Sequence, residues 1–216
     1  IDRVRIARLD VGAFYVVAGY GGATEALRMT AMAAMVDAVQ AKILAEEAVH
    51  RFEVAIIEAP RPLASDSTGM SAWRTALGAA LVGKVAGGVT IGGGRSTVVS
   101  GVDSRRVSRS VAMAIAYKVS TAPIHEHLGR VRSKALPSTI VDLSTLDHDE
   151  AVTGGLDANR VTTATSIDGK DGAFLKNGLT LNQSSSDFYH VHRLRLINRG
   201  RKILRNAILE YLNDNV

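Results

Sequence analysis

Apolar residues along this chain follow two periods, one typical of strands and one typical of helices, and the two alternate. Three short segments have the pattern of strands. The first, Val4–Leu9, alternates apolar and basic residues, and the other two, Ala13–Gly19 and Phe52–Pro60, are largely apolar. Between the second and the third, Ala, Leu and Met recur at helical spacing from Thr24 to His50, which predicts a long helix. We therefore expect two strands, a helix and a third strand in the N-terminal part.

The middle of the chain continues this alternation. We predict a helix from about Ser71 to Val85, with Ser67 or Ser71 as its N-cap and Gly87-Gly88 beyond its end. The segment "VTIGGGRSTVVSGV" predicts a strand, a glycine turn and a second strand. The remaining predictions are a helix over Ser104–Ser120, a loop over Thr121–Pro137 and a short strand in "STIVDL".

The C-terminal third combines turn signals with one long helix. Acidic residues at Asp147, Asp149 and Glu150 predict the start of a brief helix that ends at Gly154-Gly155. The segment Arg160–Ile167 is β-branched and alternating. It is followed by the turn signals Asp168-Gly169 and Asn177-Gly178, and together they predict a β-meander. A final helix is expected from a cap at Asp187 to about Asn213.

These elements predict an α/β (α+β) fold, with a mixed β-sheet flanked by helices, a C-terminal β-hairpin and a long amphipathic helix. The chain shows no repeat, no low-complexity stretch and no clear linker. We therefore interpret residues 1–216 as a single domain, a length that can bury a core without disulfide support.

The final helix is strongly basic. Six Arg or Lys residues lie between Arg193 and Arg205, and the next acidic residue is Glu210. Helical spacing places an apolar set on one face: Ile197, Gly200, Leu204, Ala207, Ile208 and Tyr211. The same spacing places Arg195, Arg199, Lys202 and Arg205 largely on the other face. The partners that suit such a helix are a nucleic acid, an anionic membrane or the acidic face of another protein.

The composition of the chain narrows the choice among these three kinds of partner. The chain has a net charge of +5 and a pI of about 9.7, which permits an acidic partner. It has no cysteine, which excludes disulfides and thiolate metal sites, and no apolar run long enough to predict a membrane span. Aromatic residues make up only 5% of the chain, and no helix-turn-helix pattern is visible, which disfavours nucleic acid.

The candidate catalytic and metal-binding motifs are weak. "IGGGRS" lacks the Gly-Lys-Ser/Thr of a phosphate loop and predicts a β-turn. Of the His-x-His pairs, His125/His127 lies in a predicted loop, and His190/His192 lies at a helix start, where positions i and i+2 diverge. The acids of "LDHDE" suit a helix N-terminus. We therefore expect no enzymatic activity, no cofactor and no metal. A metal-dependent enzyme that uses His125, His127, Asp147 and His148 is the third reading.

The C-terminal half resembles the contractile tail sheath proteins of phages, R-type pyocins and related injection systems. The resemblance rests on "GGLDANRVTTATSIDGKDGAFLKNGLTL" and "SSSDFYHVHRLRLINRGRKILRNAILEYLND". A weaker match in "SRRVSRSVAMAIAYKVSTAPIHEHLGRVRSKALP" extends it to about Ser104 to Val216. That family shows a Leu-Asp/Asn segment, like Leu156-Asp157, and then a strand with a glycine turn, like Thr162–Gly172. A serine-aspartate follows, like the end of Asn177–Asp187, and the last element is a long helix, like Arg193–Asp214. The first hundred residues match only in the order of their elements.

The resemblance implies a structural subunit of a virion tail, assembled in the cytoplasm of a bacterial host. Such subunits form six-membered rings that stack helically around an inner tube protein, and contraction drives the tube through a target envelope. The basic helix is then expected to contact the tube through Arg195, Arg199, Arg201, Lys202 and Arg205. Terminal arms add strands to neighbouring subunits in this family, so Ile1 and Val216 are expected to be truncation points. A basic nucleic-acid-binding module remains the alternative.

Overall fold

A computed structural model describes residues 3–4, 14–17, 19–49, 51–63, 66–129, 135–143 and 156–213. The helices in these ranges are Glu25–Ala48 (α1), Ser67–Leu81 (α2), Val111–Thr121 (α3) and Val191–Asn213 (α4). The first five strands are Arg3–Val4 (β1), Phe14–Val17 (β2), Val54–Glu58 (β3), Val89–Gly92 (β4) and Arg95–Val99 (β5). The others are Arg106–Ser110 (β6), Ile140–Leu143 (β7), Val161–Thr162 (β8), Ala164–Ile167 (β9) and Lys170–Leu175 (β10).

The largest sheet is mixed and has the strand order β1-β2-β3-β4-β8. Strands β2, β3, β4 and β8 are parallel, and β1 pairs antiparallel with β2. A three-stranded sheet, β6-β5-β7, and the hairpin β9–β10 complete the described β-structure. The predicted α/β class, its mixed sheet, the C-terminal hairpin and the long final helix are confirmed.

The central strand β3 shows why the sheet is buried on both faces. Ala55 and Ile57 belong to a core that includes side chains of α1 and α2, whereas Val54 and Ile56 belong to a second core with α3 and the base of α4. All five β3 residues are buried, as expected for a parallel strand covered on both faces. Trp73 anchors α2 on its side of the sheet by donating from Nε1 to the carbonyl oxygen of Pro60 at 2.8 Å.

Several predicted boundaries are confirmed. The helix predicted for Thr24–His50 is continuous over Glu25–Ala48, with the Thr24 side chain as its N-cap. The turn at Asp168-Gly169 joins β9 to β10, and Gly169 has a φ of +74° that suits a tight turn. The brief helix predicted from Asp147 to Gly154-Gly155 lies outside the described residues, as does most of the strand predicted for Val4–Leu9.

The helix predicted for Ser104–Ser120 is wrong in its first part. Residues Arg106–Ser110 form β6, which pairs antiparallel with β5, and the helix begins only at Val111. The Ser110 hydroxyl accepts from the Ala112 N–H at 3.1 Å, so Ser110 is the cap, six positions beyond Ser104, where the helix was predicted to begin. Pairing with β5 satisfies the backbone of this segment in a way that helical spacing alone does not reveal.

Three further corrections have similar causes. Helix α2 begins at Ser67 and ends at Leu81, because the Asp66 side chain accepts from Gly69 N–H and Gly83 has a φ of +72°. Asn177-Gly178 makes no hairpin between named strands; Leu179 instead forms an isolated bridge with His190. Helix α4 begins at Val191 rather than Asp187, since the carbonyl oxygen of Tyr189 accepts from Thr180 N–H.

Candidate functional site

The final helix α4 divides into a packed base and a projecting half. Val191, Leu194, Arg195 and Asn198 are buried and follow the spacing of one helix face. Every residue from 201 to 212 is exposed. At 1.5 Å per residue, roughly 18 Å of helix extends from the part of the molecule that packs α4. The base therefore anchors a helix whose outer half is exposed at every position from 201 to 212.

The projecting half of α4 carries large apolar side chains. Leu204 is 63% exposed, Ile208 50% and Tyr211 72%. Each residue advances about 100° around the helix, which puts these three roughly 90–150° from the centre of the buried face of the base. The predicted apolar face therefore exists, but it points away from the side on which α4 packs.

The predicted cationic contacts fall into two groups. Arg195 is only 3% exposed, so it does not lie at the surface, where a tube contact was expected. It donates from Nη2 to the carbonyl oxygen of Ala122 at 3.3 Å, and burial lowers the pKa of its guanidinium. Arg201 forms an ion pair with Glu47 and lies over the rings of Phe52 and Phe188.

The remaining three cations lie closer to solvent. Lys202 and Arg205 are exposed and Arg199 is half-buried. The structure thus uses Arg195 and Arg201 within the subunit, whereas Lys202 and Arg205 are exposed and Arg199 is half-buried. The pattern of charges alone could not separate these groups, because it does not show where α4 enters the core.

A histidine cluster lies beside the base of α4. His127 comes from the loop after α3, and His190 and His192 flank the first residue of α4. The ring centroid of His127 lies 5.0 Å from that of His190 and 4.9 Å from that of His192, and the centroids of His190 and His192 are 5.5 Å apart. One ring nitrogen from each of the three lies within 4.8 Å of the others.

Backbone contacts position both parts of this cluster. The loop is held close to the end of β10: a Cβ added at Gly129 would lie 2.7 Å from the carbonyl oxygen of Lys176. His190 forms a bridge with Leu179, and its carbonyl oxygen accepts the N–H of Leu194 at 3.1 Å. His190 thus lies just before the helix rather than within it, so its ring and that of His192 reach the same side. The expectation that the side chains of His190 and His192 diverge around a helix was therefore wrong.

Burial, together with nearby positive charge, favours the neutral form of these imidazoles by lowering their pKa values. Burial, as the largest cause, and the charges of His127, His190, Arg193 and Arg195 together lower the pKa of His192 to about 4. Burial also lowers the pKa values of His127 and His190. The other member of the first pair, His125, is exposed and lies outside the cluster. Asp147 and His148, the other residues of the enzyme reading, lie outside the described residues.

A cleft at the carboxyl ends of the parallel strands is a further polar feature. Its lining includes Arg28, Arg61, Arg95 and Arg109, together with Glu58. Arg95 is already paired with Glu58 at 2.8 Å. In parallel α/β sheets ligands bind at this edge, although no sequence motif predicted a site here.

The chain matches no protein-family model, and a search of the curated proteins found no significant match. None of the helices in the described ranges is apolar over a stretch long enough to span a lipid bilayer.

Proposed function

We propose that this chain is a structural subunit of a contractile tail sheath, which assembles as stacked six-membered rings around an inner tube and contracts to drive the tube through a target envelope. The observation that carries the proposal is the projecting half of α4, residues 201–212, all of them exposed. The sequence resemblance over the C-terminal half supplies the kind of assembly.

The apolar side of this projecting half favours a protein partner. Leu204, Ile208 and Tyr211 lie along one stripe and are at least half exposed. Contiguous exposed apolar surface of this kind marks interaction sites in soluble proteins. An isolated helix of about 12 residues is also marginal in water, so packing against a neighbour stabilises it. Burial of the stripe between subunits, or between subunit and tube, would both cover this apolar surface and stabilise the projecting helix.

The exposed cations favour an acidic surface on the partner. Lys202 and Arg205, which are exposed, and the half-buried Arg199 are the remaining candidates for tube contact. Exposed ion pairs are individually worth about 0–1 kcal/mol. Many copies along a tube sum to firm attachment, while each pair breaks without a large barrier during contraction.

The sheets offer a second mode of contact between subunits. Within the described ranges, β1 and β8 are the outer strands of the largest sheet, and β6 and β7 are those of the three-stranded sheet. Outer strands present unpaired backbone groups to which an arm from a neighbour can add a strand. This agrees with the strand exchange that the family resemblance implies.

The test is negative-stain electron microscopy of the complete gene product, expressed alone and concentrated. Striated hollow tubes or stacked six-fold rings are the expected result. A monodisperse monomer at all concentrations overturns the proposal. If that monomer binds duplex DNA with log K falling linearly against log salt, the nucleic-acid-binding alternative replaces it.

A further inference from the structure

We propose that His127, His190 and His192 form a binding site for a divalent transition metal of the zinc class. The metal would fasten the loop after α3 to the start of α4. This inference does not depend on the assembly role, because it concerns side chains within one subunit.

The spacing of the ring nitrogens fits such a site. Ligand nitrogens of a tetrahedral zinc ion lie roughly 3.3 Å apart, given Zn–N distances of about 2.0–2.1 Å. Nε2 of His127 is already 3.3 Å from Nδ1 of His190. The ligand atoms of all three residues lie within 4.8 Å of one another, so small ring rotations bring the set to bonding distance.

The hydrogen bonding of the cluster leaves a nitrogen available. Nδ1 of His192 is buried and has no hydrogen-bond partner in the described part of the chain. A buried nitrogen without a partner is unusual, and coordination would satisfy it. His127 accepts at Nδ1 from the Gly129 N–H at 3.0 Å, which puts its proton on Nε2, facing His190. Coordination of a neutral His127 ring through Nε2 therefore moves that proton to Nδ1, with loss of the Gly129 bond.

The ligand chemistry selects the class of metal. Three neutral imidazoles suit Zn²⁺, Co²⁺, Ni²⁺ or Cu²⁺ and do not suit Mg²⁺ or Ca²⁺, which prefer oxygen ligands. Arg193 and Arg195 lower the pKa of His192 by their charge and oppose a bound cation in the same way. With three ligands and these two charges, we expect weaker binding than in structural sites with four protein ligands.

The experiment titrates ZnCl₂ into EDTA-stripped, dialysed protein by calorimetry and follows the Tm in parallel. The variants are H127Q, H190Q and H192Q, and H125Q is the matched control because His125 lies in the same loop, exposed and outside the cluster. We expect one zinc per chain and a rise in Tm for wild type and H125Q. Loss of one ligand should weaken binding at least about 100-fold, since second-layer partners alone account for about 10- to 100-fold.

Absence of stoichiometric zinc uptake by the folded wild type overturns the site, as does equal weakening by H125Q. Circular dichroism and the Tm in EDTA show whether each variant is folded. Should the variants not fold, modification of wild type by diethyl pyrocarbonate decides the question. Zinc should then protect His127, His190 and His192 while His125 still reacts, and equal reaction of all four contradicts the proposal. Since zinc alone is the probe and no assembly is needed, failure here leaves the sheath proposal standing.

Discussion

Arg201 in α4 forms an ion pair with Glu47 in the last turn of α1. The same guanidinium lies 5.8 Å from the ring centroid of Phe52 and 5.6 Å from that of Phe188. A residue that the charge pattern assigns to an outside partner therefore fastens α4 to its own subunit, just where the helix begins to project.

This relationship predicts a measurable coupling between α1 and α4. In a double-mutant cycle of E47Q and R201Q, we expect a coupling energy of about 0.5–1 kcal/mol, because both side chains are partly exposed. Urea unfolding of the four proteins gives the free energies of unfolding. R201Q alone should cost more than E47Q alone, since it also removes the two ring contacts. Strict additivity of the two substitutions would contradict the pair.

The apolar stripe of α4 should control assembly without contributing to the stability of the subunit. We expect the double substitution L204Q/I208Q to abolish tubes or rings, or to raise the concentration they need at least several-fold, because it removes buried apolar area from the contact. Glutamine keeps a good helix propensity, so the Tm of the unassembled chain should change little. Sedimentation measures assembly.

The matched control for the stripe is V102Q. Val102 is 99% exposed and lies in the turn between β5 and β6, outside α4. Assembly of V102Q should equal that of wild type. Unchanged assembly of L204Q/I208Q would remove the projecting helix from the contact.

Arg195 should behave as a core residue. Nε and Nη1 of its guanidinium are buried without a hydrogen-bond partner in the described part of the chain, and only Nη2 reaches Ala122. Replacing an uncompensated buried charge with an apolar side chain of similar length is often neutral or stabilising. We expect R195M to be at least as stable as wild type in urea and R195A to lose about 2–3 kcal/mol through a cavity. A loss above about 1 kcal/mol in R195M would show that the charge itself is needed.

Arg160 joins the end of α2 to the backbone at Lys84 and at Leu181. Its Nη1 donates to the carbonyl oxygens of Lys84 and Leu181 and its Nη2 to that of Leu81, each at 2.8 Å. The ammonium of R160K cannot reproduce this planar fork, so we expect a loss of about 2–4 kcal/mol in the free energy of unfolding. Urea unfolding checks it, and a loss below about 0.5 kcal/mol would contradict the role.

Gly92 permits the close approach of α3 to the sheet. A Cβ at this position would lie 2.8 Å from both the backbone nitrogen and the Cα of Ala112. We expect G92A to lose about 1–3 kcal/mol through overpacking. The control is G200A, where a Cβ meets nothing within 4 Å and the position is helical, so the free energy of unfolding should rise by about 0.5–1 kcal/mol. Equal effects of the two substitutions, measured by thermal unfolding, would contradict the close packing.

The sequence pattern alone determined the elements whose signals lie within a few neighbouring residues. The apolar run of β3, the helical spacing and Thr24 cap of α1, and the positive φ available to Gly169 each act over a few neighbouring positions. The predicted α/β class followed from their order along the chain.

Tertiary structure decided what depends on contacts between distant segments. Strand β6 exists because β5 supplies its backbone partners, and α4 begins at Val191 because Tyr189 is bonded to Thr180. The entry angle of α4 turns its apolar stripe outward and draws Arg195 inward. The fold also brings His127 next to His190, 63 positions away. Local periodicity carries no information on such pairs, because their geometry is set by packing across the sheet.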